Sequence, residues 1–488
     1  MTLDLRAILI FSLAAVVYAG LLPSKFRTWA LLVGSVIAIY WLQPALPIRY
    51  SDYILPTATL VIAIATWYLT RRSADVAPMG TRHEDRITLI VIAALVIGLS
   101  LMRFVDADFR VTASRPPDPF AVGVTLIVIG SAFAVITRFM RQRDQRHVLS
   151  IGMVLIVGLF VLLKSEPLAA EISRTWRSLT GQDTSLASAV DLNWLGFSYV
   201  AFRLIHTLRD RQTGLLPNLS LREYVTYVIF FPAIIAGPID RAERFSEDTR
   251  ALPGLIGLDA ARFSAGITRI MVGLFKKFVI ADSLAQGMAL NTTNVTQIQS
   301  WPMLWVLLYG YALRLFFDFA GYTDIAIGLG LLFGIHLPDN FNRPYLKTTI
   351  TSFWQSWHMT LSSWARFYVF TPLSRWLLMR KPRPSPTLVV LSTQIATMVV
   401  IGLWHGVTLN FVIWGVWHGL ALFIHKQWSD RTRKWYRGLN HQRWRKRIWT
   451  AFSWFVTFQY VVIGWVWFAL SSTTQSTQTL GRLFGIGW

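Results

Sequence analysis

Apolar runs long enough to cross a lipid bilayer are the feature that most constrains the fold of this chain. Six of them occupy roughly residues 5–22, 29–43, 54–69, 87–105, 120–137 and 148–163. Because lipid offers backbone amides and carbonyls no hydrogen-bond partner, an open chain crosses it only as helices. The sequence therefore predicts an all-α polytopic membrane protein.

The composition supports a membrane protein and excludes several kinds of chemistry. Of 488 residues, 54% are hydrophobic and only 15% are charged, which exceeds the apolar content of a soluble domain. Cysteine is absent, so disulfides, thiolate metal ligands and a cysteine nucleophile are excluded. The formal net charge of +22 is interpreted as the excess of Lys and Arg typical of cytoplasmic loops, and we expect no nucleic-acid partner.

The charges of the loops predict an orientation in the membrane. Arg and Lys concentrate in 22–28, 70–86 and 137–147, whereas 43–53 has only Arg49 and aspartates dilute the arginines of 103–119. The positive-inside rule therefore places the N-terminus outside and the three basic loops in the cytoplasm. The basic cluster at 431–447 is also expected to be cytoplasmic, before a last span near 450–470 and an outward tail.

The apolar pattern divides the chain into three predicted parts. Residues 1–186 form N-terminal transmembrane helices, and 426–488 form a basic cytoplasmic loop with the last transmembrane helix. Between them, Gly, Pro, Asn, Asp and His interrupt the apolar runs of 187–425. Such residues persist at membrane depth only inside protein or beside an aqueous cavity, so this part is predicted to be a core with an internal passage.

Three Trp-His pairs, at 357–358, 404–405 and 417–418, are the candidates for catalytic residues. At membrane depth the charged form of an imidazole is disfavoured, so a neutral histidine there can act as a general base near pH 7. Ordinary packing is the alternative for each pair. On one continuous helix, His405 and His418 would face apart by about 220°, and no carboxylate or thiolate stands nearby, so no metal site is expected.

The remaining polar residues predict little further chemistry. Arg314 and Asp318 lie four positions apart, so the default interpretation is an ion pair along one helix face. No Walker or dinucleotide-binding glycine pattern, no Gly-x-Ser-x-Gly elbow and no aligned pair of carboxylates occurs. Nucleotide-driven pumps and hydrolases therefore have little support.

Five segments carry a specific family resemblance. They are "GFSYVAFRLIHTLRD" (196–210), "FFPAIIAGPIDRAERF" (230–245), "GLFKKFVIAD" (273–282), "FFDFAGYTDIAIGLGLLFGIHLPDNFNRPYLKTTITSFWQSWHMTLSSWARFYVFTPL" (316–373) and "GLWHGVTLNFVIWGVWHGL" (402–420). In these residues the chain resembles the membrane-bound O-acyltransferase (MBOAT) family. The resemblance is to the bacterial branch of alginate O-acetylation proteins and D-alanyl transferases of teichoic acid.

The resemblance implies about 11–13 membrane helices, some tilted or re-entrant, around a central passage. It also implies that His405 is the main catalytic residue and that His358 is its partner on another helix. Five further residues are expected to line the passage or to support it: Trp357, Trp404, Asp318, Asn410 and His418.

The function that the resemblance implies is membrane O-acyl transfer in a bacterial plasma membrane. An acyl group would leave a cytoplasmic thioester, either acetyl-coenzyme A or an acyl carrier protein. Acetyl is favoured, and D-alanyl transfer to teichoic acid or transfer of a fatty acyl group to a lipid or protein remains open. The acyl group would pass to a hydroxyl on an extracytoplasmic polysaccharide or partner protein, such as a separate extracytoplasmic transferase, with no bound cofactor. A flippase or transporter of a lipid-linked saccharide and a non-catalytic scaffold of an envelope polysaccharide complex remain the alternatives.

Overall fold

A computed structural model describes residues 4–71, 79–140, 144–255, 257 and 259–486. Over these ranges the chain folds into helices and connecting turns without a β-strand, which confirms an all-α polytopic membrane protein. Seven helices within them are long and apolar enough to cross a membrane: Ser51–Thr70, Arg82–Phe104, Pro119–Phe139, Gln145–Lys164, Trp301–Leu332, Pro386–His405 and Arg443–Ala469. Short tilted or re-entrant helices do not meet this criterion of length and hydropathy. The total of about 11–13 membrane helices therefore stays a prediction.

Each of the six N-terminal apolar runs coincides with a helix, as predicted. The helices are α1 (Leu5–Gly20), α2 (Arg27–Trp41), α3 (Ser51–Thr70), α4 (Met79–Ser100), α5 (Pro119–Met140) and α6 (Gln145–Lys164). Parts of two predicted basic loops, 72–78 and 141–143, lie outside the described residues.

The first of two structural units comprises Met1–Thr268 and Ala326–Leu337. After α6 it contains α7 (Glu166–Leu179), α8 (Phe197–Thr213), α9 (Leu221–Ile229) and α10 (Ala242–Ala251). Large apolar side chains such as Phe120 and Ile127 of α5 are exposed on its surface. On a helix of this length and hydropathy, they form a surface suited to lipid.

Arg203 explains how a helix-breaking segment survives inside this unit. After α9 the chain leaves the α-helical conformation at Phe230 and remains almost fully buried to Asp240, so its carbonyl groups need donors. The Arg203 guanidinium, itself buried, donates to the carbonyl oxygens of Tyr227, Val228 and Ala233 at 3.1, 2.8 and 3.1 Å. Protein thus supplies the hydrogen bonds that lipid cannot.

The second unit comprises Arg269–Ile325 and Pro338–Trp488. The helix α11 (Ala260–Leu274) leads into a π-helical turn, Phe275–Ala281, and further helices follow, which contain or flank the three Trp-His pairs. These helices are α12 (Asp282–Ala285), α13 (Asn294–Gln297), α14 (Trp301–Leu332), α15 (Ile350–Trp354), α16 (Met359–Ala365), α17 (Thr371–Leu378), α18 (Pro386–His405), α19 (Leu409–Gly438), α20 (Arg443–Gly464), α21 (Val466–Ala469) and α22 (Thr473–Leu483).

The basic cluster at 431–447 differs from the loop expected there. It occupies the end of α19, the 3₁₀ turn Leu439–His441 and the start of α20. Its Arg and Lys residues are good helix formers, so α19 and α20 both extend into the cluster. A turn of a few residues joins the two helices. The prediction that this cluster faces the cytoplasm remains.

Candidate active site

A close-packed helical hairpin positions His405, the last residue of α18. A Cβ atom on Gly402 would lie 2.2 Å from the carbonyl oxygen of Phe411, and one on Gly415 would lie 2.6 Å from Cα of Val399. Because only glycine fits at such contacts, the spacing of glycines in "GLWHGVTLNFVIWGVWHG" lets α18 and α19 pack closely. The hairpin turn follows directly after His405.

The His405 ring is half-buried among aromatic side chains of the same unit. Its centroid lies 4.4 Å from that of Trp404, 4.6 Å from Phe468 and 5.8 Å from Phe411. The end of a helix at a turn leaves part of the ring exposed. A reacting group can therefore approach this imidazole.

His358 lies in a strained turn just before α16. Its φ of 43° and ψ of 56° are left-handed, a conformation that costs a non-glycine residue about 1–3 kcal/mol and recurs at functional positions. The amide N–H of Met359 donates to the carbonyl oxygen of Asn340 at 2.9 Å, and that of Thr360 donates to Asn340 Oδ1 at 3.2 Å. Asn340 thus holds the turn with both its backbone and its side chain.

The His358 ring is only 2% exposed. Its Nδ1 lies 3.3 Å from Asn340 Oδ1, and its Nε2 is buried without a hydrogen-bond partner in the described part of the chain. The ring also contacts Phe319 at 4.7 Å and Trp404 at 5.7 Å between centroids. The indole of Trp404 therefore contacts both predicted catalytic histidines.

His418 is fully buried on the middle of α19, on a different helix from His405. His405 and His418 are therefore not on one continuous helix, because the turn at Gly406 separates α18 from α19, and the angle expected between them on a single helix has no meaning here. The His418 ring lies 4.8 Å from Trp414 and 5.1 Å from Trp354, which gives it a packing environment.

Trp357 is 5% exposed and belongs to an aromatic cluster within the second unit. Its ring centroid lies 5.2 Å from those of both Phe341 and Trp465, and 5.5 Å from that of Tyr345. Asn410 is likewise buried, and its Nδ2 donates to the Leu470 carbonyl at 2.7 Å. These contacts place Trp357 and Asn410 in the packed interior of the second unit.

Asp318 pairs with a lysine from another helix, whereas the sequence suggested Arg314 on its own helix. Lys277 Nζ lies 2.9 Å from Asp318 Oδ1, and the preceding Lys276 lies 2.6 Å from Asp324. The backbones come together at Gly273 and Gly321, where a Cβ on Gly273 would lie 2.6 Å from the Gly321 carbonyl oxygen. This helix crossing decides the pairing.

Asn340 is a residue of this candidate site that the sequence did not predict. It lies in the quoted segment "GIHLPDNFNRPY" (334–345), whose polar residues follow a long apolar helix. Polar residues in that position indicate that a polar side chain enters the core. The sequence does not indicate which residue that side chain contacts. Among the described residues, no group of three or more His, Asp or Glu side chains is arranged to hold a metal ion.

The chain is similar to the proteins of a known family. A family model described as "MBOAT, membrane-bound O-acyltransferase family" matches residues 121–470. The teichoic acid D-alanyltransferase of Streptococcus thermophilus is 31% identical over 344 residues, which cover 68% of this chain and 78% of that protein.

Two further relatives are named as acetylating enzymes. A probable alginate O-acetylase of Pseudomonas fluorescens is 34% identical over 60% of this chain and 54% of its own length. A peptidoglycan O-acetyltransferase of Helicobacter pylori is 32% identical over 54% of this chain and 47% of its own length. The similar region thus spans about half of each of these two relatives.

Proposed function

This chain belongs to the membrane-bound O-acyltransferase family and is an acyltransferase, and from that premise we propose which groups it transfers and how. An acetyl group passes from a cytoplasmic thioester to a hydroxyl on an extracytoplasmic polysaccharide or partner protein. The observation that carries this proposal is the contact of both His358 and His405 with the indole of Trp404. Two imidazoles at one indole, one of them half-buried, suit proton transfer between a hydroxyl and a thiolate.

In the proposed reaction, His405 is the general base. A ring nitrogen of neutral His405 takes the hydroxyl proton as the hydroxyl oxygen attacks the thioester carbonyl carbon. The carbon–sulfur bond breaks, and the departing thiolate takes the proton from the imidazolium. The absence of cysteine excludes an acyl-cysteine intermediate, and direct transfer is simpler than an acyl-His or acyl-Ser route.

The surrounding aromatic side chains support the transfer step. His358 orients a substrate group by hydrogen bonding, and the indole of Trp404 covers part of the two imidazoles that it contacts and so limits their access to water. Limited water access slows hydrolysis of the thioester. Trp357 and His418 supply rigid packing around these groups, since their contacts are with other aromatic rings.

The donor is proposed to be acetyl-coenzyme A or an acyl carrier protein, drawn to the cytoplasmic face by its basic segments. The named substrates of the relatives, alginate, peptidoglycan and teichoic acid, favour an envelope polymer as the acceptor. We propose a bacterial plasma membrane as the location, with a separate extracytoplasmic transferase as a partner. Membership of an acyltransferase family favours this activity over a flippase or a scaffold.

The test is acyl transfer by purified, detergent-solubilised protein from radiolabelled acetyl-coenzyme A to a crude envelope fraction. His405→Ala is expected to reduce transfer by at least about 100-fold, the usual contribution of a general base. His441→Ala, the same substitution at an exposed histidine, is the matched control and should retain activity. Full activity of a monodisperse His405→Ala variant would overturn the proposed base.

A further inference from the structure

The orientation of the Asn340 side-chain amide follows from its neighbours. The backbone N–H of Thr360 points at one amide atom from 3.2 Å, and the Thr360 hydroxyl lies 2.6 Å from the same atom. A backbone N–H only donates, so this amide atom must be the oxygen, Oδ1. The alternative orientation would place the amide nitrogen against another donor.

The identity of that oxygen determines the tautomer of His358. Asn340 Oδ1 only accepts, so the Nδ1 of His358 at 3.3 Å must carry the hydrogen of a neutral ring. The other nitrogen, Nε2, then has a free lone pair. Nε2 is fully buried, and no described residue offers it a donor.

We infer that Asn340 is a positioning residue that holds His358 in its Nδ1–H tautomer, so that Nε2 accepts a hydrogen bond from the hydroxyl-bearing substrate. The strained backbone of His358 supports the same role, because Asn340 also accepts the Met359 amide through its own carbonyl. One residue thereby fixes both the direction and the hydrogen-bonding state of the ring. In this state His358 cannot donate to the carbonyl oxygen of the thioester.

This inference rests on the proposed function and narrows its substrate class. The reacting hydroxyl carries one proton, which His405 takes. The hydrogen bond to His358 Nε2 therefore comes from a second O–H or N–H group, and our proposal places that group on the hydroxyl-bearing substrate. Sugars and polyols, which carry hydroxyls on adjacent carbons, meet this requirement.

The tautomer is testable in the wild-type protein. The measurement is solid-state NMR of the protein in lipid bilayers, with ¹⁵N-labelled histidines. The His358 signals are identified as those that are lost in the His358→Gln variant. We expect a protonated Nδ1 and a bare Nε2. A wild-type spectrum with the hydrogen on Nε2 overturns the inference.

Two substitutions test the role of Asn340. Asn340→Leu removes the acceptor at similar volume, and we expect a mixture of His358 tautomers with a loss of transfer activity of about 10–100-fold, the range known for residues that orient metal-binding histidines. Asn340→Asp keeps the acceptor and adds a negative charge. Since the Asn340 Nδ2 has no hydrogen-bond partner in the described structure, this change breaks no hydrogen bond present there.

The pH dependence of the His358 NMR signals separates a direct contact with the ring from a purely structural role. A carboxylate beside Nδ1 favours the imidazolium, so the ¹⁵N signals of His358 are expected to titrate at higher pH in Asn340→Asp than in wild type. Asn342→Asp adds the same charge to an exposed residue of the same segment and should leave this titration unchanged. A folded Asn340→Asp variant whose His358 signals titrate as in wild type overturns the inference.

Failure of the inference is distinguishable from failure of the proposed function. If wild-type protein transfers nothing from acetyl-coenzyme A, that donor is wrong, while the NMR measurement still tests the tautomer. If transfer occurs with His405 dependence but the Asn340 variants behave like wild type in both measurements, only the positioning role is overturned.

Discussion

Three histidines of one chain illustrate how neighbours decide what a side chain can do. His405 is half-buried at the end of a helix, His358 is buried with one nitrogen facing an amide oxygen, and His418 is buried among aromatic rings. Both ring nitrogens of His418 lack a hydrogen-bond partner among the described residues. We therefore expect the His418 ring to serve packing. The His358 ring, with one nitrogen oriented by an amide oxygen, is the one that we expect to bind a reacting group.

At this residue scale, phenylalanine substitutions should separate packing from catalysis. His418→Phe keeps an aromatic ring beside Trp354 and Trp414, and we expect a cost below about 1.5 kcal/mol with transfer activity retained. His405→Phe should reduce transfer by at least about 100-fold without unfolding the protein. Acetyl transfer and thermal melting of both purified variants are the measurements. A folded but inactive His418→Phe variant would assign His418 a chemical role.

At the scale of elements, glycine contacts determine where the predicted catalytic side chains lie. The packing of α18 against α19 depends on Gly402, Gly415 and Gly419, since a Cβ on each would lie within 2.7 Å of a backbone atom of the other helix. The crossing of α11 and α14 at Gly273 and Gly321 brings two lysines to two aspartates in the same way. Close backbone contact of this kind is typical of helix packing in membranes.

We expect Gly415→Ala to separate the hairpin helices, because its Cβ would lie 2.6 Å from a backbone carbon of Val399. The overpacking should cost about 1–3 kcal/mol, seen as a lower melting temperature by size-exclusion chromatography after heating. Gly158→Ala on α6 is the control, because nothing lies within 4 Å of its Cβ. That variant should equal wild type or gain up to about 1 kcal/mol in helix stability. Equal melting of both variants would contradict the packing argument.

At the scale of the whole molecule, charge and hydropathy predict the orientation of each loop in the membrane. The basic cluster at 431–447 and the loop 103–119 are expected on opposite sides, because Lys and Arg are retained in the cytoplasm. The proposed donor is anionic, and a basic cytoplasmic surface raises its local concentration. Orientation therefore decides from which side the thioester enters.

Single-cysteine labelling tests this orientation directly, since the chain contains no cysteine of its own. Asp108→Cys and Arg437→Cys each place one thiol at an exposed position. In right-side-out vesicles a membrane-impermeant maleimide should label Asp108→Cys at once, and Arg437→Cys only after permeabilisation. Labelling of Arg437→Cys in sealed vesicles would reverse the predicted side of the basic cluster.

The sequence by itself determined the membrane class, the first six helices and the family. An apolar run needs only its own residues to become a helix in lipid, because all of its backbone hydrogen bonds close within the run. The predicted runs 54–69 and 148–163 accordingly fall within Ser51–Thr70 and Gln145–Lys164. The Trp-His motifs are contiguous stretches and are equally visible in one dimension.

Only the tertiary structure decided which side chains meet. It placed His405 and His418 on separate helices, paired Asp318 with Lys277 and brought Asn340 to His358. Each of these contacts joins different elements of the chain, and its geometry depends on where two helices cross or where a turn is strained. Periodicity carries no information on such contacts, because it describes one element at a time, whereas each of these contacts joins two elements.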